Sequence, residues 1–261
     1  MTESNLPKTH TAQFQLTADN CDACGKISPS GLTRDIITTA VQHADLLDIG
    51  YRRLISEGQM WVLSRLAIEM EEWPRMFNTM ELTTWIEQLN RFFSLRNFVI
   101  SHNGRIAGYA RTMWAAINME SRRRGDLSQA ITGLEDIALD SPCPIPPIAK
   151  LHDSNEYSDS YTHTIRVSDL DFNRHLTTYR YIDLMVNAVP LSLYDTMVLK
   201  RLDIHFIHET TYGKKAVVEW NITATPEGSR IYDCRLVSHS VDGKETPLIF
   251  SLCRMEFQPI I

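Results

Sequence analysis

The chain has 261 residues, enough for one large domain or two ordinary ones with a sizeable core. Its 43% hydrophobic and 22% charged residues are globular values, and a formal charge of -6 excludes the concentrated basic face that general nucleic-acid binding requires. No apolar run approaches the ~20 residues of a membrane span, and the polar start MTESNLPKTHTAQ lacks the apolar core of a signal peptide, so a cytoplasmic protein is expected.

Residues 1–138 read as a first unit. A strand is expected near HTAQFQLT, followed by the pair Cys21 and Cys24 in CDAC. Five scattered cysteines are too few for a disulfide framework. CDAC has neither a second ligand pair for zinc nor the strand-then-helix setting of a redox pair, so no metal or redox centre is expected. A helix follows from about Leu32 to Leu47, and then the strands WVLSRLAIEM, TMELTTWIE, FFSLRNFVISH and RIAGYARTMWAAINM. Asn103 and Gly104 mark a tight hairpin turn between the last two. The basic cluster Ser121–Arg124 comes next; with Lys214 and Lys215 it is the chain's local positive charge, ordinarily a solvated surface and otherwise a contact for an acidic partner.

The segment 139–155 contains four of the eleven prolines and reads as an extended linker. Residues 156–261 then form a second unit with the same order of elements. YSDSYTHTIRV is a strand. Leu176, Tyr179, Ile182, Val186 and Val189 step by three or four along one face of a long helix that Pro190 helps to end. Four strands complete the unit: LKRLDIHFIHE, KKAVVEWNITAT, SRIYDCRLVSH and PLIFSLCRMEF. Ala216, Val218, Trp220 and Ile222 share one face of the second of these.

Specific residues recur between the units. VLSRLAI (Val62–Ile68) matches VLKRLDI (Val198–Ile204) at five of seven positions. A hairpin signal follows each at similar spacing, Asn103–Gly104 in one unit and Asp242–Gly243 in the other. The expected fold is therefore α+β, a tandem or double hotdog in which each half wraps a curved antiparallel sheet around a long central helix.

Asp171, Asn173 and His175 stand at alternate positions ahead of the second helix. A helix N-terminus offers backbone N–H groups and positive dipole, which stabilise negative charge developing on a substrate oxygen; Asn173 or His175 can add a side-chain donor. Hydrolysis also needs a base to activate water. Glu209 ends the following strand beside Phe206 and Ile207, where partial burial strengthens a carboxylate for that task. The five-in-seven alignment puts Trp73 where the second unit has Glu209. The first unit shows no Asp-x-Asn-x-His ahead of its helix, where PSGLTRD stands, so only the second unit is expected to be catalytic.

At these residues the chain resembles the acyl-ACP thioesterases, the plant Fat-type enzymes and their bacterial relatives. The family motif Asp-x-Asn-x-His-[Val/Leu]-x-x-x-x-Tyr is met by Asp171, Asn173, His175, Leu176 and Tyr181. The family glutamate, with an aromatic residue three positions earlier, is met by Glu209 and Phe206. MWVLSRLAIEMEEWPRMFNTMELTTWIE and ARTMWAAINMESRRR extend the resemblance over nearly the whole chain. Thr177 and Thr178 stand where plant members commonly have two asparagines. Thr210 stands where many have cysteine, which argues for water activated by a carboxylate rather than a cysteine nucleophile.

The resemblance implies hydrolysis of a fatty acyl thioester on acyl carrier protein, with no cofactor beyond the phosphopantetheine arm that the substrate carries. It also implies an acyl-chain pocket in the non-catalytic first unit. Glu209 would be the base, His175 and Asn173 would orient or polarise the reacting groups, and Asp171 would fix the loop. A hotdog hydrolase acting on acyl-CoA, a hotdog dehydratase and a non-catalytic acyl-binding or regulatory module are the rival readings. Either a monomer or a homodimer fits, because two hotdogs in one chain already form the pair that single-hotdog proteins assemble from subunits.

Overall fold

In a computed structural model that describes residues 6–154, 156–239 and 247–260, the chain divides into two units, Met1–Ile148 and Ala149–Ile261. The division falls inside the proline-rich segment. The expected turn at Asp242–Gly243 lies outside the described residues.

The first unit contains β1 (Thr9–Gln15), α1 (Pro29–Leu46), the short α2 (Tyr51–Ser56), β2 (Gln59–Met70), β3 (Thr79–Leu89), β4 (Phe93–His102) and β5 (Arg105–Asn118). Its antiparallel sheet has the order β1-β3-β4-β5-β2. Helix α1 begins earlier than its apolar spacing suggests. The Ser28 hydroxyl accepts from Gly31 N at 3.0 Å, and Pro29 presets the helical φ at the first turn. Asn103 and Gly104 both take positive φ, 50° and 69°, as the two-residue hairpin requires. Helix α2 is absent from the expected elements; one short turn with Leu54 as its sole buried residue has no periodic pattern to detect.

The second unit contains β6 (Asp159–Thr164), α3 (Thr178–Val186), β7 (Met197–Phe206), β8 (Lys215–Ala224), β9 (Arg230–Ser238) and β10 (Leu248–Pro259). Its order, β6-β8-β9-β10-β7, reproduces that of the first unit strand for strand. Each unit is a hotdog. Helix α3 is shorter than expected. Ala188 and Val189 bond back to Met185 and Val186, a tighter i to i−3 pattern that closes the helix ahead of Pro190. Its buried residues are Tyr181, Ile182, Leu184 and Met185; of the expected stripe Leu176, Ile182 and Val189 are buried, the first and last just outside the helix, while Tyr179 and Val186 are half-buried. Among the described residues no helix is long and apolar enough to cross a membrane.

The buried side of α1 is unusually polar. Thr33, Asp35, Thr39 and His43 are all buried. The two threonine hydroxyls donate to carbonyls one turn back, at 2.8 Å each, which satisfies them inside the helix. Asp35 is not satisfied: its Oδ2 is buried without a hydrogen-bond partner, and Arg34 lies 3.9 Å from the other oxygen. Burial, opposed in part by Arg34, pushes its pKa up to about 6.

A carboxyl raised in the folded state favours folding while protonated and opposes it once ionised. The fold therefore loses stability as pH rises from about 4 through about 6, by up to roughly 3 kcal/mol. Asp35→Asn removes that penalty. Urea unfolding at pH 8 should show the variant more stable than wild type by about 1–3 kcal/mol, with the gain vanishing near pH 4; a pH-independent difference would contradict this origin.

Candidate active site

The segment Asp171–His175 is a closed turn built around one carboxylate. Asp171 Oδ1 accepts from the backbone N–H groups of Asn173 and His175, at 2.9 and 3.0 Å. Asp171 N donates to His175 O at 2.8 Å, and Arg174 N donates to Asp171 O at 3.0 Å. Closing the turn forces Arg174 to φ 64°, a left-handed conformation that costs a side chain about 1 kcal/mol. Asp and Asn favour such turns because their short side chains reach backbone groups two residues on.

The turn is fastened to the chain beyond β7. Leu176 N donates to Thr210 O at 2.9 Å, and His175 bridges Thr211. The Tyr181 hydroxyl, one turn into α3, donates to His208 O at 3.1 Å, and its ring meets Phe206 edge-on at 5.6 Å. Burial pushes the Tyr181 phenol well above its ordinary pKa, so it stays a donor. These ties bring Glu209 to the turn: its Oε2 lies 3.6 Å from His175 Nε2.

Of the four expected site residues, Asp171 faces into the turn, and His175 and Glu209 come together. Asn173 is exposed at the tip, and its side-chain amide makes no hydrogen bond among the described residues. Glu209 is less buried than its apolar neighbours suggest, with 41% of its side chain exposed, because Ile207 and His208 beside it are themselves exposed. The entrance of α3 has Thr177 at the cap position with no side-chain cap bond.

Asp169, just ahead of the turn, is a residue that sequence reasoning missed. Its carboxylate accepts from Arg166 N and from His163 Nε2, each at 2.8 Å, and its carbonyl accepts from Thr177 N. Burial alone would raise its pKa, but these bonds outweigh it and hold the pKa below the usual carboxylate range. It anchors the start of α3. An Asp two residues before the motif was the available signal.

The first unit has no Asp-x-Asn-x-His ahead of its helix, and PSGLTRD lies within α1 itself, yet the segment before that helix repeats the backbone construction of the turn. Asp22 Oδ1 accepts from Cys24 N and Lys26 N at 2.8 and 3.1 Å; Asp22 N donates to Lys26 O; Gly25 takes φ 69° where Arg174 takes 64°. Ile27 N donates to Pro74 O as Leu176 N does to Thr210 O, and Asn20 holds the place of Asp169. The counterpart of Asp171-x-Asn173-x-His175 is thus Asp22-x-Cys24-x-Lys26, and Trp73 stands where Glu209 stands. That correspondence explains CDAC as half of a turn. Ser28, unlike Thr177, caps its helix with its hydroxyl.

Comparisons with known proteins agree along the chain. The family described as acyl-ACP thioesterase N-terminal domain matches residues 7–133, and the acyl-ACP thioesterase C-terminal domain matches 152–250. A chloroplastic acyl-[acyl-carrier-protein] hydrolase of Cuphea viscosissima, FATB3, is 28% identical over 233 residues, 85% of this chain and 55% of its own length. The chain spans about half the length of the curated relatives it matches. Among solved structures, an acyl-ACP thioesterase from Bacteroides thetaiotaomicron is 27% identical with a TM-score of 0.81, covering 99% of this chain and 100% of that one. A 12:0-ACP thioesterase from Umbellularia californica shares the fold at 18% identity and TM-score 0.80, covering 97% and 94%.

The turn makes two stability predictions with opposite signs. Asp171→Ala removes a charged acceptor from two amides and should cost about 1–2 kcal/mol in denaturant unfolding. Arg174→Gly relieves the left-handed strain and should gain from a few tenths to about 1 kcal/mol. Equal effects of the two would show that the turn is not the restraint described.

Proposed function

Because the chain belongs to the acyl-ACP thioesterase family, we propose that it hydrolyses fatty acyl thioesters of acyl carrier protein to free fatty acid and carrier. The observation that carries the reading is the convergence of Glu209 and His175, 3.6 Å apart beside the entrance of α3. The matching place in the first unit has Trp73 and Lys26, which have no carboxylate–imidazole pair to offer.

In this mechanism Glu209 takes a proton from water as the water oxygen attacks the thioester carbonyl. Charge then gathers on the carbonyl oxygen, where the positive end of α3 and the unbonded amide of Asn173 stabilise it. Collapse of the tetrahedral intermediate breaks the C–S bond, and the departing thiolate takes up the proton from the Glu209–His175 pair. Asn173 and His175 can exchange the orienting and polarising roles. Asp171, with both amides of the turn on one oxygen, holds these groups in place and does not itself react. The chain supplies no cofactor in this scheme; the phosphopantetheine arm travels with the substrate.

Carrier preference is assigned to charge. Arg122–Arg124 lie exposed in the loop after β5, and the guanidinium groups of Arg91 and Arg124 sit 4.5 and 4.2 Å from the Phe92 ring. Such a cluster fits the acidic surface of a carrier protein better than it fits coenzyme A alone, which favours acyl-ACP over the acyl-CoA reading.

Glu209→Gln should lower kcat on acyl-ACP by about a hundredfold or more. Wild-type turnover in that variant would remove the glutamate from the mechanism. Reversing Arg122 and Arg123 to Glu should lower kcat/KM for acyl-ACP by about tenfold at low salt while sparing small acyl thioesters. A matching loss on both substrates would point to misfolding instead of docking. Cleavage of acyl-CoA at the same rate as acyl-ACP would favour the CoA reading, 3-hydroxyacyl-ACP dehydration the dehydratase, and binding without cleavage the regulatory module.

A further inference from the structure

Glu209 lies beyond the end of β7, and with 41% of its side chain exposed it is not held by burial. The chain reaches it through a kink. The amides of Ile207 and His208 both donate to Phe250 O, at 2.9 and 3.1 Å, so two residues share one acceptor and regular pairing stops. On the far side of the glutamate, Thr210 O accepts from Leu176 N at 2.9 Å. The peptides on either side of Glu209 lie between these two fixed points.

The Tyr181 hydroxyl meets the chain between them. It donates to His208 O at 3.1 Å, and the Thr210 backbone N–H bonds the same oxygen. One phenol oxygen thus holds the carbonyl before Glu209 and the amide after it. The carboxylates of Glu209 and Asp171 are near enough to add to the rise that burial imposes on the phenol, so the hydroxyl keeps its proton. Tyr181 is buried, and its ring packs edge-on against Phe206 at 5.6 Å. A short, rigid side chain packed along its ring and bonded at its tip makes a stiff strut from α3 to the glutamate.

The first unit shows what the same frame does without that hydroxyl. Glu71 N and Glu72 N both donate to Ala107 O, at 2.8 and 3.0 Å, and Ile27 N donates to Pro74 O at 2.9 Å, so the kink and the far tie recur bond for bond. Counting along these bonds puts Leu32 at the place of Tyr181 and Pro74 at that of Thr210. Leu32 is fully buried and has no hydroxyl, and Pro74 has no N–H to donate to one. The backbone frame therefore closes without the phenol. Hydroxyl and amide occur together where the displayed residue is an exposed carboxylate. Both are missing where it is Trp73, which burial alone holds in place.

We propose that Tyr181 is a positioning residue for Glu209: its hydroxyl locks the backbone on both sides of the glutamate and keeps the carboxylate beside His175 at the entrance of α3. The phenol does not itself react. A base displaced by about an ångström from its water loses much of its effect, which is the consequence the lock prevents. That consequence rests on the proposed reaction, in which Glu209 is the base; the lock is a property of the folded chain with no substrate bound.

Tyr181→Phe keeps the ring against Phe206 and deletes only the hydroxyl. In the substrate-free full chain, hydrogen exchange should show the Thr210 amide exchanging at least about tenfold faster in the variant, with the amides inside β7 at their wild-type rates. On acyl-ACP, kcat should fall about tenfold or more with KM within about twofold. In a Glu209→Gln background the same change should have little further effect, because the place of a side chain that is no longer a base does not matter. An equal loss in both backgrounds would assign the effect to the fold at large and overturn the proposal, as would wild-type kcat in Tyr181→Phe. Wild-type turnover in Glu209→Gln would remove the base but not the lock; the exchange measurement then decides alone, and an unaltered Thr210 amide overturns it. If Tyr181→Phe does not fold, an unprotected Thr210 amide in the wild-type chain overturns the lock and a protected one supports it.

Discussion

The interaction on which the candidate site depends is the acceptance of two successive turn amides by one carboxylate oxygen of Asp171. It fixes a five-residue turn tightly enough to hold Arg174 in a left-handed conformation. The turn in turn sets where Leu176 meets Thr210 and where His175 meets Glu209. Had the loop been free, an exposed Asn, a half-exposed His and an exposed Glu would each lose side-chain entropy on ordering, and nothing would keep them together. The fold supplies the restraint on the backbone, and the side chains inherit it.

Asp22 performs the same task in the first unit, with the same pattern of donors. What differs between the units is what the turn displays. In one, Asn173, His175 and Glu209 surround a helix entrance with no side-chain cap. In the other, Cys24, Lys26 and Trp73 surround an entrance that Ser28 closes. The two units share the backbone hydrogen bonds of the turn and differ in the side chains it displays.

The first unit has its own departure from a plain apolar core. Asp35, His43 and Arg96 are all buried around α1 and β4, and none of the three forms a short charge-to-charge pair with another. Their pKa shifts share one cause, the removal of water from the charged form, and run in the directions that cause dictates: up for the carboxyl, down for the imidazole and the guanidinium. Polar residues held in this way cost stability, and one of them, Arg96, lines a cavity together with the unpartnered hydroxyl of Ser94.

Much of this was legible in the residues themselves. Runs rich in β-branched and aromatic residues, with partial two-residue alternation, marked the later strands of the second unit, because a half-buried strand repeats every two residues. The turn at Asp171, Asn173 and His175 was legible because its spacing is local. Other features needed the folded chain. Asp22-x-Cys24-x-Lys26 shares one residue type with its counterpart, and only its hydrogen bonds reveal the kinship, since a backbone turn needs an acceptor and a tolerated φ rather than a particular set of displayed side chains. The exposure of Glu209, the early end of α3 and the isolation of Arg96 from every described carboxylate depend on which distant segments arrive nearby. The linear order of residues determines what each side chain can do; long-range packing alone decides how much water and which partners it is left with.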